Sequence, residues 1–261
     1  MDMKISFIIL NWNHKQLLKE CVLSIINTAA NITHEIIVVD NASIDGSRAL
    51  IKDKFPDIIL IENEVNLGYA KAVNQGGRIA KGEFLFLLNN DIRLLEGAIH
   101  SLISFLYRNS SAGAAAPSLY YPDGRFQVSC RRFPSLPALI LEYLGIEKFG
   151  GLRKWKMDIE EHMNTSVVPQ PMAAALLIRR DCWNKVGYMD EGFPIFFNDV
   201  DWCYRLYKNT EYKIYIYPEA KAVHHEGASI KRLGFKKKVV FYKGLLRFYI
   251  KHPQAMIRGV L

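Results

Sequence analysis

The stretch at 84–93 joins an apolar run to side chains that can bind a metal ion. Residues 84–88 are continuously apolar, which is typical of a strand buried on both faces of a parallel sheet. Asn89, Asn90 and Asp91 follow at its carboxyl end. Open α/β sheets bind ligands at that edge, and a carboxylate there can hold a hard divalent cation against a diphosphate. Simple turn chemistry is the alternative interpretation.

Polar clusters also follow two earlier apolar runs. Asn11-Trp12-Asn13 comes after the run at 4–10, and Asp40-Asn41-Ala42-Ser43 comes after the run at 35–39. Strands predicted there and at 58–61 and 84–88 alternate with helices, which indicates an α/β fold with a doubly wound, mostly parallel sheet. The three clusters should then share one crevice and form a nucleotide-type site. Because neither Gly-x-Gly-x-x-Gly nor a Gly-x-x-x-x-Gly-Lys loop occurs, a bound diphosphate needs another counter-charge, such as a metal on Asp91.

The second half of the chain offers candidate acid–base residues. Asp199 and Asp201 fall in the first turn of a predicted helix that Asn198 can cap. The helix dipole alone would stabilise acids at that position. However, the aromatic run at 193–197 would also place a base in a sheltered pocket. His224 is adjacent to another histidine, so at most one of the two should face a site if the backbone is extended.

Length and cysteine usage limit the class of protein. A chain of 261 residues fits one large α/β domain or a core with a modest addition. The four cysteines are widely spaced and include no Cys-x-x-Cys pair, which argues against a zinc site or a disulfide framework and suits a reducing cytosol. No signal peptide or membrane span is predicted. We expect a cytoplasmic protein with at most peripheral membrane contact.

The net charge of +8 is concentrated in the tail. Residues 221–261 contain ten lysines or arginines and one acid, whereas the rest of the chain is nearly neutral. This distribution favours anionic lipid as a partner, and we predict that the protein does not bind nucleic acid. The segment at 235–251 mixes basic and large apolar residues at helical spacing. It predicts either a helix docked on the core or an interfacial helix at a membrane.

Taken in order, these motifs resemble the family 2 glycosyltransferases of the GT-A fold, and more narrowly the rhamnosyltransferase-like branch that builds bacterial surface polysaccharides. The resemblance spans about residues 6–253. The motifs that carry it are Ile-Leu-Asn-Trp-Asn13, Val-Val-Asp40-Asn-Ala-Ser43-x-Asp45-Gly46, Asn66-Leu-Gly68-Tyr-Ala with Asn74, Leu-Asn-Asn-Asp91, Leu-Ile-Arg-Arg180, Met-Asp190-Glu191-Gly192-Phe193, Asn-Asp199-Val-Asp201-Trp-Cys-Tyr-Arg205, Pro218-Glu-Ala and His224-x-x-Gly227-x-Ser229.

The resemblance implies roles for these residues. The predicted donor nucleotide-binding residues are Asn11, Trp12, Asn13, Asp40, Asn41, Ser43, Asn66, Gly68, Asn74, Asn89 and Asn90. Asp91 would coordinate Mg²⁺ or Mn²⁺, with His224 a further candidate ligand. Asp199 would be the general base, supported on the acceptor side by Asp201 and Arg205. The chain would form a single domain in which 1–93 bind the nucleotide sugar, 94–229 form a smaller α+β acceptor and catalytic region, and 230–261 form a basic helical tail.

The implied reaction is an inverting, metal-dependent transfer of a sugar from a nucleotide diphosphate to a saccharide or polyprenyl-diphosphate-linked acceptor. L-rhamnose from dTDP-rhamnose is the leading donor, and another hexose from a UDP- or GDP-sugar is the alternative. Asn89 replaces the first acid of the usual Asp-x-Asp motif, and Asn198 replaces the Glu of Glu-Asp. These changes keep open a non-catalytic sugar-nucleotide-binding relative. The missing glycine fingerprint disfavours a nucleotide-dependent oxidoreductase.

Overall fold

A computed structural model describes residues 4–193, 195–225 and 236–257. The predicted motif residues Gly227 and Ser229, and Phe235 at the start of the predicted tail helix, lie outside these ranges. The described strands are β1 (Ile5–Asn11), β2 (His34–Asn41), β3 (Ile59–Asn63), β4 (Phe84–Asn89), β5 (Ile92–Leu94), β6 (Ala112–Tyr120), β7 (Phe126–Gln127), β8 (Cys130–Arg131), β9 (Lys148–Phe149), β10 (Leu152–Arg153), β11 (Ser166–Val167), β12 (Gln170–Pro171), β13 (Ala175–Arg179) and β14 (Lys213–His224).

The described α-helices separate these strands along the chain. They are α1 (Lys15–Thr28), α2 (Ser47–Lys54), α3 (Tyr69–Ile79), α4 (Ala98–Arg108), α5 (Leu136–Leu144), α6 (Arg180–Val186), α7 (Asn198–Asn209), α8 (Lys236–Lys251) and α9 (Pro253–Ile257). The alternation of strand and helix predicted for the first half of the chain is confirmed.

The central sheet is mixed but mostly parallel. Its main strands run in the order β11-β14-β6-β13-β4-β1-β2-β3. β1 pairs in parallel with β2 and β4, and β2 pairs in parallel with β3. β13 is antiparallel to both of its neighbours, β4 and β6. This order puts the start of the chain in the middle of the sheet, as expected for a doubly wound fold.

The parallel register brings the predicted polar clusters to one edge. Asn11 lies opposite Asp40, and Leu10 lies opposite Asn89. Because parallel strands end at the same edge, the polar residues that follow β1, β2 and β4 meet there. The shared crevice predicted from the sequence is therefore confirmed.

Helical layers cover both faces of the sheet and bury its strands. Phe7 faces the layer that contains Leu18 of α1 and Leu102 of α4. Ile8 faces the opposite layer, which contains Val73 of α3, because successive side chains of a strand point to opposite faces. The continuous apolar runs in the sequence thus reflect burial on both sides.

The turn into α7 differs from the predicted cap. The helix begins at Asn198, and Phe197 precedes it in the left-handed region at φ 71°. The Asn198 amide donates to the carbonyl oxygen of Ile195 at 3.0 Å, and its own side-chain oxygen accepts from the backbone N–H of Asp199 at 2.7 Å. Asn198 is therefore the first helical residue, and its side chain holds the preceding turn in place.

The C-terminal helices dock on the core. Leu245, Phe248 and Tyr249 of α8 are buried, and so is Ala255 of α9. This finding supports the docked alternative for the described part of the tail. Within the described ranges, no helix combines the length and the low polarity that crossing a bilayer requires.

Candidate active site

A cavity of about 510 Å³ lies at the carboxyl edge of the sheet. The ends of β1, β2 and β4 form one part of its lining, the strand-end wall, and the start of α7, β12 and α8 form another part. Its lining residues are Leu10, Asn11, Trp12, Asn41, Asn66, Gly68, Tyr69, Asn89, Asn90, Asp91, Arg131, Trp155, Gln170, Met172, Ala173, Ala174, Ile195, Phe196, Phe197, Asn198, Asp199, Val200, His224, Lys237 and Phe241. All three predicted parts of the chain contribute, and the division between them stays a prediction.

Amide side chains fix the strand-end wall. Asn90 donates to the side-chain oxygen of Asn11 at 2.6 Å, and Asn11 donates to Asp40 at 2.8 Å. Asn41 donates to the carbonyl oxygen of Gly68 at 3.2 Å, which ties β2 to the start of α3. The chain of bonds orients polar groups before any ligand arrives, so this wall suits a nucleotide.

Three predicted nucleotide residues lie behind this wall and do not line the cavity. Asp40 is 1% exposed and accepts a charged hydrogen bond from Arg48 at 2.7 Å. The Ser43 hydroxyl accepts from the Asn11 amide at 3.1 Å and from the backbone N–H of Asn13 at 2.9 Å. The contacts of Asp40, Ser43 and Asn13 therefore support the wall from behind.

Asp91 and His224 meet at the floor of the cavity. His224 Nε2 is 3.4 Å from Asp91 Oδ1, and both side chains are buried. Asp91 Oδ1 accepts no hydrogen bond from the described residues, which is costly for a buried carboxylate oxygen. The other ring nitrogen of His224, Nδ1, lies 2.8 Å from Gln127 Oε1, a partner that orients the ring. The pair therefore presents an oxygen and a nitrogen, both able to bind a metal.

Asp199 lines the same cavity and has no bonded cation among the described residues. One carboxylate oxygen accepts from the backbone N–H of Val200 at 2.9 Å, and the other accepts from the Gln170 amide at 3.2 Å. Burial raises the pKa of Asp199 above its usual value, although hydrogen bonds from the backbone N–H groups of Val200 and Ala173 and the nearby Arg131 charge oppose the rise. The residue combines access to the cavity with a strengthened tendency to accept a proton.

Asp201 and Arg205, which were predicted on the acceptor side, do not line the cavity. Asp201, within α7, is fully buried, and its carboxylate lies 2.8 Å from each of Arg205, Lys251 and His252. Burial raises the pKa of Asp201, but hydrogen bonds from His252 and Lys251 and the Arg205 charge outweigh it and lower the pKa below its usual value. This network fastens the C-terminal helices to α7.

Asn74 is also misplaced by the sequence prediction. It is buried in α3, donates to the carbonyl oxygen of Met189 at 2.9 Å and accepts from the backbone N–H of the same residue at 2.9 Å. It also donates to Glu191 at 2.9 Å. A side chain with its polar atoms satisfied in this way binds α3 to the loop before α7, and it does not line the donor pocket.

Several lining residues were not predicted as site residues. Gln170 contacts Asp199, and Tyr69 donates from its hydroxyl to the carbonyl oxygen of Ala173 at 2.8 Å. Arg131 and Trp155 enter the cavity from a segment whose strand and helix boundaries are weakly signalled, and the basic pair at 131–132 is its visible sign in the sequence. Lys237 and Phe241 belong to the basic helix predicted at 235–251, but that prediction did not place them in the site.

Solved structures of glycosyltransferases share this fold. The match to GalNAc-T7 with UDP, GalNAc and Mn²⁺ has a TM-score of 0.69 at 16% identity, over 95% of this chain and 48% of that chain. The match to the mannosyltransferase PcManGT of Pyrobaculum calidifontis with GDP-Man and Mn²⁺ has a TM-score of 0.64 at 17% identity, over 97% and 65%. The fold is therefore GT-A, and the cavity lies where such a fold binds its ligands.

The model of the family "Glycosyl transferase family 2" matches residues 6–166, so the chain belongs to that family. It is similar to N-acetylglucosaminyl-diphospho-decaprenol L-rhamnosyltransferase of Mycobacterium tuberculosis, at 29% identity over 82% of this chain and 73% of that protein. It is also similar to dTDP-rhamnosyl transferase RfbF of Shigella flexneri, at 28% identity over 82% and 67%. The predicted family, its rhamnosyltransferase-like branch and the enzyme class are confirmed: the protein is a glycosyltransferase that uses a nucleotide sugar.

Proposed function

We propose that the enzyme transfers L-rhamnose from dTDP-rhamnose, with inversion, to a lipid-diphosphate-linked saccharide in the synthesis of a cell-surface polysaccharide. One observation carries the proposal: Asp91 with His224, and Asp199 from a distant part of the chain, line one cavity. The two rhamnosyltransferase relatives support the choice of sugar, and the name of the mycobacterial relative supports the choice of acceptor. Neighbours solved with UDP and GDP-Man make those nucleotides the competing donors.

The strand-end wall would hold the donor nucleotide. Asn41 and Asn90 present amide groups, and Trp12 and Asn66 extend the same wall. Asn11, whose own amide bonds to Asp40, Ser43 and Asn90, holds Asn90 in place. Amide groups bond well with a nucleobase or a ribose, since each offers a donor and an acceptor. Asp40, Asn13 and Ser43 would act indirectly, by fixing Asn11.

Asp91 and His224 fit a divalent cation. The orphaned Asp91 oxygen is the hard ligand that Mg²⁺ or Mn²⁺ prefers, and the His224 nitrogen adds a second donor. No group of three or more potential metal-ligating side chains occurs in the described part of the chain. When bound, the ion would neutralise charge on the departing diphosphate.

Asp199 would act as the general base. The acceptor hydroxyl attacks the anomeric carbon of the donor, a new carbon–oxygen bond forms, and the bond to the nucleotide diphosphate breaks. The hydroxyl proton passes to the Asp199 carboxylate as the attack proceeds. The Gln170 amide and the backbone N–H of Val200 hold that carboxylate in place, so it accepts the proton without moving. A single displacement needs no covalent nucleophile and inverts the anomeric carbon.

A melting-temperature screen tests the donor assignment. The enzyme is heated with dTDP-rhamnose, UDP-glucose or GDP-mannose, each with and without Mn²⁺, because a ligand that binds the folded state raises the melting temperature. We expect the largest shift with dTDP-rhamnose and Mn²⁺, and loss of the Mn²⁺ increment in Asp91→Ala. A larger shift with the UDP- or GDP-sugar would assign a different donor. Transfer to an N-acetylglucosaminyl diphosphate lipid would then be measured with the preferred donor.

We also propose that the enzyme works in the cytoplasm against the inner face of the plasma membrane. The docked helix α8 exposes Val239, Tyr242, Leu246 and Ile250, whose spacing of three, four and four residues puts them on one face. The helix contains no acid, and the exposed helix α5 adds further apolar side chains nearby. Basic helices with such a face bind anionic lipid surfaces.

Vesicle binding tests the membrane proposal. We expect the wild-type enzyme to cosediment with phosphatidylglycerol vesicles, and the double variant of Lys238→Glu and Lys243→Glu on α8 to remain in solution. Lys19→Glu with Lys54→Glu, on α1 and α2, makes the same change in net charge away from this face and should leave binding intact. If both double variants lost vesicle binding equally, the effect would come from net charge, and the proposed lipid-binding surface would be wrong.

A further inference from the structure

Two basic side chains of the cavity are available to bind an anion. Arg131 and Lys237 both line the cavity, and neither forms an ion pair of 4.0 Å or less with a described residue. Two of the neighbouring basic residues are paired. Arg132, the next residue along the chain, contacts Glu161 at 2.6 Å, and Lys154 contacts Asp158 at 2.8 Å. Arg131 and Lys237 therefore bring positive charge into the cavity that no bonded acid neutralises.

Arg131 is held in place beside the proposed base. Its guanidinium carbon lies 5.4 Å from the centre of the Trp155 ring, a cation–π contact that limits the motion of the side chain. Its strand, β8, pairs with β12, where Arg131 lies opposite Gln170, and the amide of Gln170 bonds to Asp199. The guanidinium thus lies near Asp199, and its charge acts on that carboxylate.

Lys237 reaches the same cavity from the C-terminal helix. Phe241, one turn further along α8, lies 5.9 Å from Trp155 between ring centres, which joins α8 to the segment that holds Arg131. The next lysine, Lys238, does not line the cavity. A planar guanidinium and an ammonium that line one cavity are suited to phosphate oxygens, since both donate charge-assisted hydrogen bonds.

We propose that Arg131 and Lys237 form a subsite for the diphosphate group of the acceptor. The inference rests on the proposed function, in which the acceptor is a saccharide joined to a lipid through diphosphate. The subsite would hold that diphosphate beside Asp199 and so place the acceptor hydroxyl near the base. It would also favour lipid-linked acceptors over free saccharides. The donor also carries a diphosphate, but in the proposed function that group binds beside Asp91.

Binding without turnover tests the subsite. Titration calorimetry on the full chain, saturated with dTDP and Mn²⁺, measures the affinity for two probes: N-acetylglucosaminyl diphosphate on a short polyprenyl chain, and an alkyl N-acetylglucosaminide without diphosphate. We expect Arg131→Gln and Lys237→Gln each to weaken binding of the diphosphate probe about 10-fold or more, which is the usual scale for a lost charge-assisted hydrogen bond. Binding of the alkyl glycoside should change less than about 2-fold, as expected for a probe without the charged group.

The control variant is Lys19→Gln on α1, which removes the same charge from an exposed lysine outside the cavity and should bind both probes as the wild type does. Equal weakening for both probes, or no wild-type preference for the diphosphate probe, would overturn the subsite. So would an equally large loss of dTDP affinity in Arg131→Gln, because it would assign the guanidinium to the donor. The melting temperature of each variant shows whether it is folded. Because Lys237 is exposed, Lys237→Gln should fold normally and tests the subsite even if Arg131→Gln misfolds. A separate transfer assay with the same probes reports on the proposed function, whatever the binding result.

Discussion

Two carboxylates at the start of α7 have opposite environments. Asp199 faces the cavity, bonds to neutral donors and has a raised pKa because it is buried. Asp201 is enclosed behind the helix and bonds to three basic side chains, which lower its pKa. Asp199 can therefore accept a proton readily, whereas Asp201 holds the C-terminal helices against α7. A pair of acids in one motif need not share one function.

The largest expected effect is the loss of transfer in Asp199→Asn. Removing a general base costs about 10²- to 10⁴-fold in rate. The melting temperature should stay the same or rise, because the neutral amide removes the cost of keeping a charged carboxylate buried at neutral pH. Steady-state transfer and thermal unfolding of the same preparation check both parts. Substantial transfer would remove Asp199 as the base.

Asp201→Asn should show the opposite pattern. Leaving three basic groups without their buried carboxylate should cost about 3 kcal/mol of stability. For a chain of this size that lowers the melting temperature by several degrees, at about 2–4 °C per kcal/mol. Transfer measured well below the melting temperature should stay within about 10-fold of the wild type, a far smaller loss than removal of a general base causes. If Asp201→Asn abolished transfer without changing the melting temperature, Asp201 would have to act in the reaction itself.

The same contrast predicts a separation between activity and stability in acid. Asp199 must be ionised to act, so transfer should fall as the pH drops through its raised pKa. The contribution of Asp201 to stability is present above its unfolded pKa and disappears only as the pH falls through its lowered folded pKa. Transfer rates and melting temperatures recorded across the acid range should therefore show activity declining first. Coincident decline would mean that acid unfolding, not Asp199, controls the rate.

The smallest predicted effect concerns Lys251, the most exposed partner of Asp201. It lies 2.8 Å from both Asp201 and Asp190 and is 32% exposed, so solvent screens part of each interaction. Lys251→Gln should cost about 1 kcal/mol or less. Chemical denaturation, with Lys238→Gln as the matched control, resolves a difference of that size. A loss as large as that in Asp201→Asn would mean that this lysine, rather than Arg205 or His252, dominates the network.

Much of the site could be predicted because the local sequence shows where each buried strand ends. Continuous apolar runs predict buried strands, and parallel pairing then brings Asn11, Asn41 and Asp91 to one edge. The positions of Asp201 and Arg205 were missed because a motif does not state which way each side chain points. Residues two apart on a helix lie about 200° from each other around its axis, so Asp199 and Asp201 could not both face the cavity.

Other site residues depended on tertiary contacts that no local pattern reveals. Arg131 becomes a cavity residue only when β8 pairs with β12, and Lys237 only when α8 docks through Phe248 and Tyr249. Asn74 follows a motif that resembles a donor pocket, yet its amide is used by a loop more than a hundred residues away. Such long-range pairings are set by packing of the whole core rather than by short-range propensity.

The anomeric configuration of the product tests the central claim most directly. Asp199 is proposed as a base for a single displacement, so the new glycosidic bond should have the configuration opposite to that of the donor. Proton NMR of the purified product, compared with the nucleotide sugar supplied, distinguishes the two cases. Inversion is the predicted result. Retention would contradict the account, because it requires a step in which the sugar is attacked twice or on its leaving-group face.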